Sequence, residues 1–214
     1  RINGRTSRIR GVAMYNDRAG VGSALLPQHI AEDMALIDEI GANMIRMVTY
    51  PAATAYLDEC DRRGIGVWCD IPLVNSAFLA DVPYTSSPAL AESGREQLRE
   101  IIAQNYNRPS VMLWGIFAKL VVPGDDPRGY IRELNTLAHN IDPSRLTVGV
   151  SNQNGDINFI TDLIVWHQNL GWQTGDVQDL NIWKEQLREG WSNLRSGLTY
   201  SAGGNTAHQD SLTV

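Results

Sequence analysis

Val111-Met112-Leu113-Trp114-Gly115-Ile116-Phe117-Ala118-Lys119 is an apolar, β-prone run closed by a lysine. Helical patterns flank it on both sides, from Pro88 to Tyr106 and from Pro127 to Ile141. A buried strand between two helices is the βα repeat of a parallel sheet. Working outward, the same alternation continues in both directions. Strand patterns fall at Arg8 to Ala13, after a short hairpin at Asn3-Gly4, and at Met44 to Thr49, Gly66 to Ile71, Leu146 to Val150, Leu163 to His167 and Leu198 to Ser201. Further helical patterns cover Leu26 to Ile40, Ala52 to Arg63 and Leu180 to Glu189, with Gly41 and Gly64 as stops after the first two. Seven strands at this spacing predict an α/β fold, a (β/α)8 TIM barrel. About 250 residues is usual for that fold, so the eighth βα unit is expected to be absent from this chain or supplied by another segment.

The chain has 214 residues, 43% of them hydrophobic, which is enough for one α/β core, and no shift in composition marks a second domain. A single domain over 1–214 is expected. The net charge of −6 and the lack of any Lys/Arg block argue against nucleic acid or an anionic membrane as partner. A small-molecule ligand fits better. No stretch is long and apolar enough to span a bilayer, no signal peptide is evident, and the chain lacks an initiator Met, as expected of a processed segment. Cys60 and Cys69 read as buried thiols rather than a disulfide framework, which fits a reducing, cytoplasmic setting.

Lys119 is one of two lysines against sixteen arginines. At the end of an apolar strand, its ammonium either reaches water, pairing with an acid such as Asp125 or Asp126, or sits in a dry pocket. A dry pocket lowers the pKa and makes the amine nucleophilic.

Several ordered motifs resemble the catalytic barrel of glycoside hydrolase family 2, the β-galactosidase and β-glucuronidase-like enzymes. They are Arg8-Ile9-Arg10-Gly11-Val12, Asp33 to Ile37 with Gly41-Ala42-Asn43, Arg46 followed by Tyr50-Pro51, Tyr56 to Asp61, Gly64 to Trp68, and Asn107 to Trp114. The resemblance covers nearly the whole chain. It implies a retaining glycosidase with two glutamates, a proton donor after the fourth strand and a nucleophile after the seventh. The corresponding positions hold Lys119 and Thr199, the latter within Leu198-Thr199-Tyr200-Ser201-Ala202. The family's polar residues after strands one and two correspond to Ala13-Met14-Tyr15 and Thr49.

Departures gathered at the strand C-terminal ends look like deliberate replacement of an active site. The resulting expectation is an engineered amine catalyst resembling the computationally designed retro-aldolases, with glycosidase activity lost. Lys119 would form a Schiff base with a small-molecule carbonyl substrate, and Tyr200, Tyr15, Thr199, Ser201 or His167 would move the alcohol proton. Met14, Ala13, Met47, Val48, Thr49, Phe117, Ala118 and Trp172 would line the substrate, with Cys69 beside them. No cofactor is implied. No metal is implied either, since Asp17, Asp70 and His167 lack a recognised ligand spacing. Two alternatives remain open. One is a catalytically inactive family 2 barrel that keeps a sugar or other ligand in the old cleft, or a design that only binds its ligand. The other is a Cys69–His167 dyad for ester hydrolysis.

Overall fold

In the computed structural model, the described residues are 4, 7–48, 50–71, 73, 84–120, 124–168, 170, 175–190 and 196–200. Strands and helices alternate: β1 (Gly11–Met14), α1 (Pro27–Glu39), β2 (Met44–Met47), α2 (Thr54–Arg63), β3 (Gly66–Asp70), α3 (Pro88–Asn105), β4 (Val111–Ala118), α4 (Arg128–Ile141), β5 (Leu146–Ser151), β6 (Leu163–Gln168), α5 (Asp179–Gly190) and β7 (Ser196–Tyr200). Every neighbouring strand pair is parallel, and the seven strands follow chain order from β1 to β7. This is the sheet of a (β/α)8 barrel with seven strands among the described residues. No helix in this portion is long and apolar enough to cross a membrane.

Local chemistry sets the boundaries. Ser87 caps α3 by accepting from the Leu90 N–H at 3.1 Å, and Pro88 supplies the first helical residue. Gly64 ends α2 at φ 71°, a left-handed conformation that suits glycine. The first strand starts at Gly11, later than the sequence suggests. The Asn43 side chain accepts from the Arg10 N–H and donates to the Arg8 carbonyl, which diverts those backbone groups from a ladder. A one-turn 3-10 helix at Asp156–Phe159 has no counterpart in the sequence reading. Gly4 has φ 77°, in keeping with a turn, while Asn3 lies outside the described residues.

Two apolar layers result. Between strands and helices, Ile45, Met47, Val67, Cys69, Trp114, Ile116 and Phe117 meet α-helical residues such as Met34, Leu57, Cys60, Ile102 and Leu134. Inside the barrel, Met44, Trp68, Leu113, Ala118, Val148 and Val150 pack together. The N-terminal end of β4 is tied down by Asp142 and Arg145. Asp142 accepts from Trp114 Nε1 at 3.0 Å and from Arg145 Nη1 at 2.7 Å, and Arg145 Nε donates to the Val111 carbonyl at 2.7 Å. That anchor holds the strand whose opposite end carries Lys119.

Candidate active site

The strand C-terminal ends bring together three residues that the sequence left in separate motifs. Arg46 of β2 pairs with Trp68 of β3 in register, and Asp70 closes β3 two residues later. All three side chains share the inner face, because alternate residues of a strand do. Arg46 Nε and Nη2 both donate to Asp70 Oδ2, at 3.0 and 2.7 Å, and the guanidinium carbon lies 4.4 Å from the Trp68 ring centre. Gly115 of β4 makes room for this cluster, since a Cβ there would overlap Asp70 Oδ1 and lie 2.5 Å from Trp68 Nε1. The signal available in sequence was a lone charged residue in each of two apolar strands, Met44-Ile45-Arg46-Met47 and Gly66-Val67-Trp68-Cys69-Asp70. Charges so placed need each other as partners.

Lys119 follows β4 directly. Its backbone N–H donates to the Val150 carbonyl at 2.9 Å, and its φ of 48° makes it the one left-handed non-glycine among the described residues. The left-handed turn lets the chain leave the strand at this point, at some backbone cost. The side chain is half-buried. Burial first, and then the charge of Arg46, hold its ammonium below the ordinary lysine value. Neither acid suggested as its partner is free to serve: Asp125 accepts from Ser86, and Asp126 binds Arg128.

The remaining sequence candidates divide between two faces. Ala13, in register with Arg46, and Ala118, in the inner cluster, lie on the barrel side. Half-buried His167 alternates with Trp166, which faces the helices, so it too lies on the inner side; half-buried Tyr15 follows β1. Thr199 stands opposite His167 in the β6–β7 ladder, and Tyr200 opposite Gln168. Four expected wall residues are corrected. Met14, Met47, Cys69 and Phe117 pack in the layer between strands and helices rather than on the inner face. For Phe117 the cause is a register shift between Gly115 and Phe117, which turns Ile116 and Phe117 to the same side. Gly149 opposite it leaves space for the ring. Val48 is half-buried just past β2. Thr49, Trp172 and Ser201 lie outside the described residues.

The Cys69 thiol is 2% exposed, and burial, with the charge of Asp70 behind it, pushes its pKa up to about 12. It is therefore a neutral packing group, and the Cys69–His167 dyad is withdrawn. Cys60 is likewise pushed up to about 12, mainly by burial. Two cavities bounded by described residues lie on the outer side of α4, one of about 470 Å³ beside Phe159 and Ile160, the other of about 370 Å³ beside Arg95 and Arg99.

Comparison with known proteins gives this arrangement its context. Residues 1–197 match the family described as glycosyl hydrolases family 2, TIM barrel domain. A β-glucuronidase of Bacteroides fragilis is 42% identical over 213 residues, which is 99% of this chain and 31% of that protein. A β-galactosidase of Thermoanaerobacterium thermosulfurigenes is 30% identical over 151 residues, 70% of this chain and 19% of that protein. Among solved structures, a putative β-galactosidase from Bacteroides fragilis superposes with a TM-score of 0.85 at 32% identity, over 97% of this chain and 30% of that one. A β-galacturonidase from Eisenbergiella tayi, bound to galacturonate, gives 0.82 at 25% identity, over 96% and 37%. The chain thus spans between about a fifth and somewhat over a third of the length of these relatives. These matches overturn the expectation of an engineered Schiff-base retro-aldolase. The sequence is continuous with glycosidases along nearly its whole length.

Proposed function

We propose, from the premise that the chain belongs to glycosyl hydrolase family 2, that it is one barrel domain, over residues 1–214, of a β-glycosidase of the glucuronidase or galactosidase type. Its ligand is a small-molecule β-glycoside received at the strand C-terminal ends. The observation that carries this reading is the 42% identity to a β-glucuronidase across 99% of the chain. It is supported by the buried Arg46–Asp70 pair at the inner strand ends, where barrel enzymes place their chemistry.

The chemistry narrows at two positions. A retaining glycosidase needs one carboxyl to protonate the leaving oxygen and a second to attack the anomeric carbon. Position 119 carries an ammonium and position 199 a hydroxyl, so the double displacement has no carboxylate at either place. Glycoside binding is therefore the property this chain retains, with turnover limited by those two residues. Tyr15, His167 and Tyr200 stay in the proposal as polar groups at the strand ends.

The test is hydrolysis and binding of nitrophenyl β-D-glucuronide and β-D-galactoside by the parent chain, by Lys119→Glu, by Thr199→Glu and by the double variant. The double variant is expected to exceed either single change by about 10²- to 10⁴-fold, the usual contribution of positioned acid–base groups. A double variant that folds, binds neither glycoside and shows no rate above buffer would overturn the reading.

A further inference from the structure

We infer that Asn154-Gly155, in the connection that follows β5, is a self-modification site, at which Asn154 cyclises onto the Gly155 nitrogen, loses ammonia and ends as aspartate or isoaspartate. The inference is independent of the glycoside reading.

Asn-Gly is the pair in which this reaction meets least resistance, because glycine places no Cβ beside the attacking nitrogen. The chain holds it at Asn3-Gly4 and at Asn154-Gly155, and the second lies wholly within the described residues. Three structural features leave it open. Asn154 and Gly155 are both exposed, between Ser151 at the end of β5 and Asp156 at the start of the 3-10 turn. Among the described residues, no hydrogen bond engages the Asn154 amide or the Gly155 N–H, whereas the Gly155 carbonyl accepts from the Asn158 N–H at 3.2 Å. Gly155 has φ 117°, and a Cβ built on it would meet nothing within 4 Å, so a ring has space on that side.

The reaction needs only water and base. Base removes the Gly155 N–H proton, and the nitrogen attacks Asn154 Cγ. An N–Cγ bond forms, the Cγ–Nδ2 bond breaks, and Nδ2 takes up a proton and leaves as ammonia. Water then opens the succinimide ring: addition at Cγ gives aspartate, and addition at the Asn154 main-chain carbonyl carbon gives isoaspartate. A water is consumed, an ammonia is released, and no atom changes oxidation state. Either product adds a negative charge to a chain already at −6, at the same end of the barrel as Lys119. Isoaspartate also routes the backbone through the former side chain, which lengthens it between fixed points. On one side, Gln153 Nε2 donates to the Leu120 carbonyl at 2.6 Å, and the Gln153 carbonyl accepts from Ser151 Oγ at 3.0 Å and Asn158 Nδ2 at 2.9 Å. On the other, Ile157 and Asn158 are buried. The longer path strains these bonds, whereas aspartate leaves them in place.

The test incubates the full chain, its fold checked by circular dichroism, in neutral and mildly alkaline buffer beside a synthetic peptide of residues 150–160. Mass spectrometry, with fragmentation that separates aspartate from isoaspartate, follows each asparagine. Two exposed asparagines serve as controls: Asn152, followed by Gln153, and Asn140, followed within α4 by β-branched Ile141. Asn154 of the folded chain should convert at least about tenfold faster than either control and within about tenfold of the free peptide, a factor that corresponds to a small difference in barrier. The rate should rise with pH, and Asn154→Gln should remove the signal. A rate at Asn154 that falls short of either margin, or that does not rise with pH, overturns the inference. The isoaspartate form, separated by ion exchange, should melt below Asn154→Asp; equal melting would overturn the strain assigned to the Gln153 bonds.

Discussion

Asp70→Asn tests whether the strand-end cluster is held by charge pairing. The substitution keeps the size of the side chain and strips the anion from Arg46, whose side chain is 11% exposed while that of Asp70 is 3% exposed. Water cannot replace the lost partner at those exposures. Opposite charges about 4 Å apart in an effective dielectric of about 20 attract by about 4 kcal/mol. That agrees with the 3–5 kcal/mol (roughly) lost when one partner of a buried pair is removed. For a chain of this size, about 2–4 °C of melting temperature accompanies each kcal/mol, so the variant should melt about 6–20 °C lower. The assay is thermal melting by circular dichroism together with urea titration. Arg46→Met with Asp70→Leu, which removes both charges, should recover most of the loss. A decrease below about 1 kcal/mol in Asp70→Asn, or a double variant no better than the single, would refute the assignment of Asp70 as the counter-ion on which Arg46 depends.

Three other outcomes follow from local geometry. Burial alone would raise the Asp142 carboxyl, but hydrogen bonds from Ser144, Arg145 and Trp114 outweigh it and hold the group at about 2, against an ordinary 3.8. Its stabilising contribution, about 2 kcal/mol, is complete above pH 3.8 and is lost as pH falls towards 2; Asp142→Asn should flatten urea stability across that interval. The lowered Lys119 pKa has the opposite sense. The fold bears the cost of the buried ammonium below the lowered value and is relieved of it as pH rises to 10.5, so Lys119→Met should be more stable than the parent at neutral pH, with the gap closing in alkaline melts. Gly149→Ala would drive a methyl group into the Phe117 ring and should cost about 1–3 kcal/mol in a urea titration, whereas adding Phe117→Leu should return part of it.

The fold was largely legible in the sequence because apolar runs and helical periods alternate without interruption, and β4 matches its expected bounds from Val111 to Ala118. Gly64 and Pro88 punctuate the helices as their chemistry requires. The site was less legible. Met47, Cys69 and Phe117 are near strand ends in sequence, but a strand end has two faces, and only the pleat together with the slip after Gly115 decides which one each residue takes. Arg46 and Asp70 are 24 positions apart, so their bond depends on β2 and β3 being neighbours, a fact of register that neither motif contains alone. The functional expectation failed for another reason. Lys119 has the depressed basicity its surroundings suggested, yet basicity describes one group and not the reaction of a barrel.

The strict succession of strands from β1 to β7 has a consequence for how the chain acquires its shape. Each strand pairs with the one synthesised just before it, so the sheet can lengthen one βα unit at a time, with only a short loop to close at each addition. Protection should then be graded from the middle outward. The amides of β4, bonded to β3 on one side and β5 on the other and packed against α4, would exchange with solvent last.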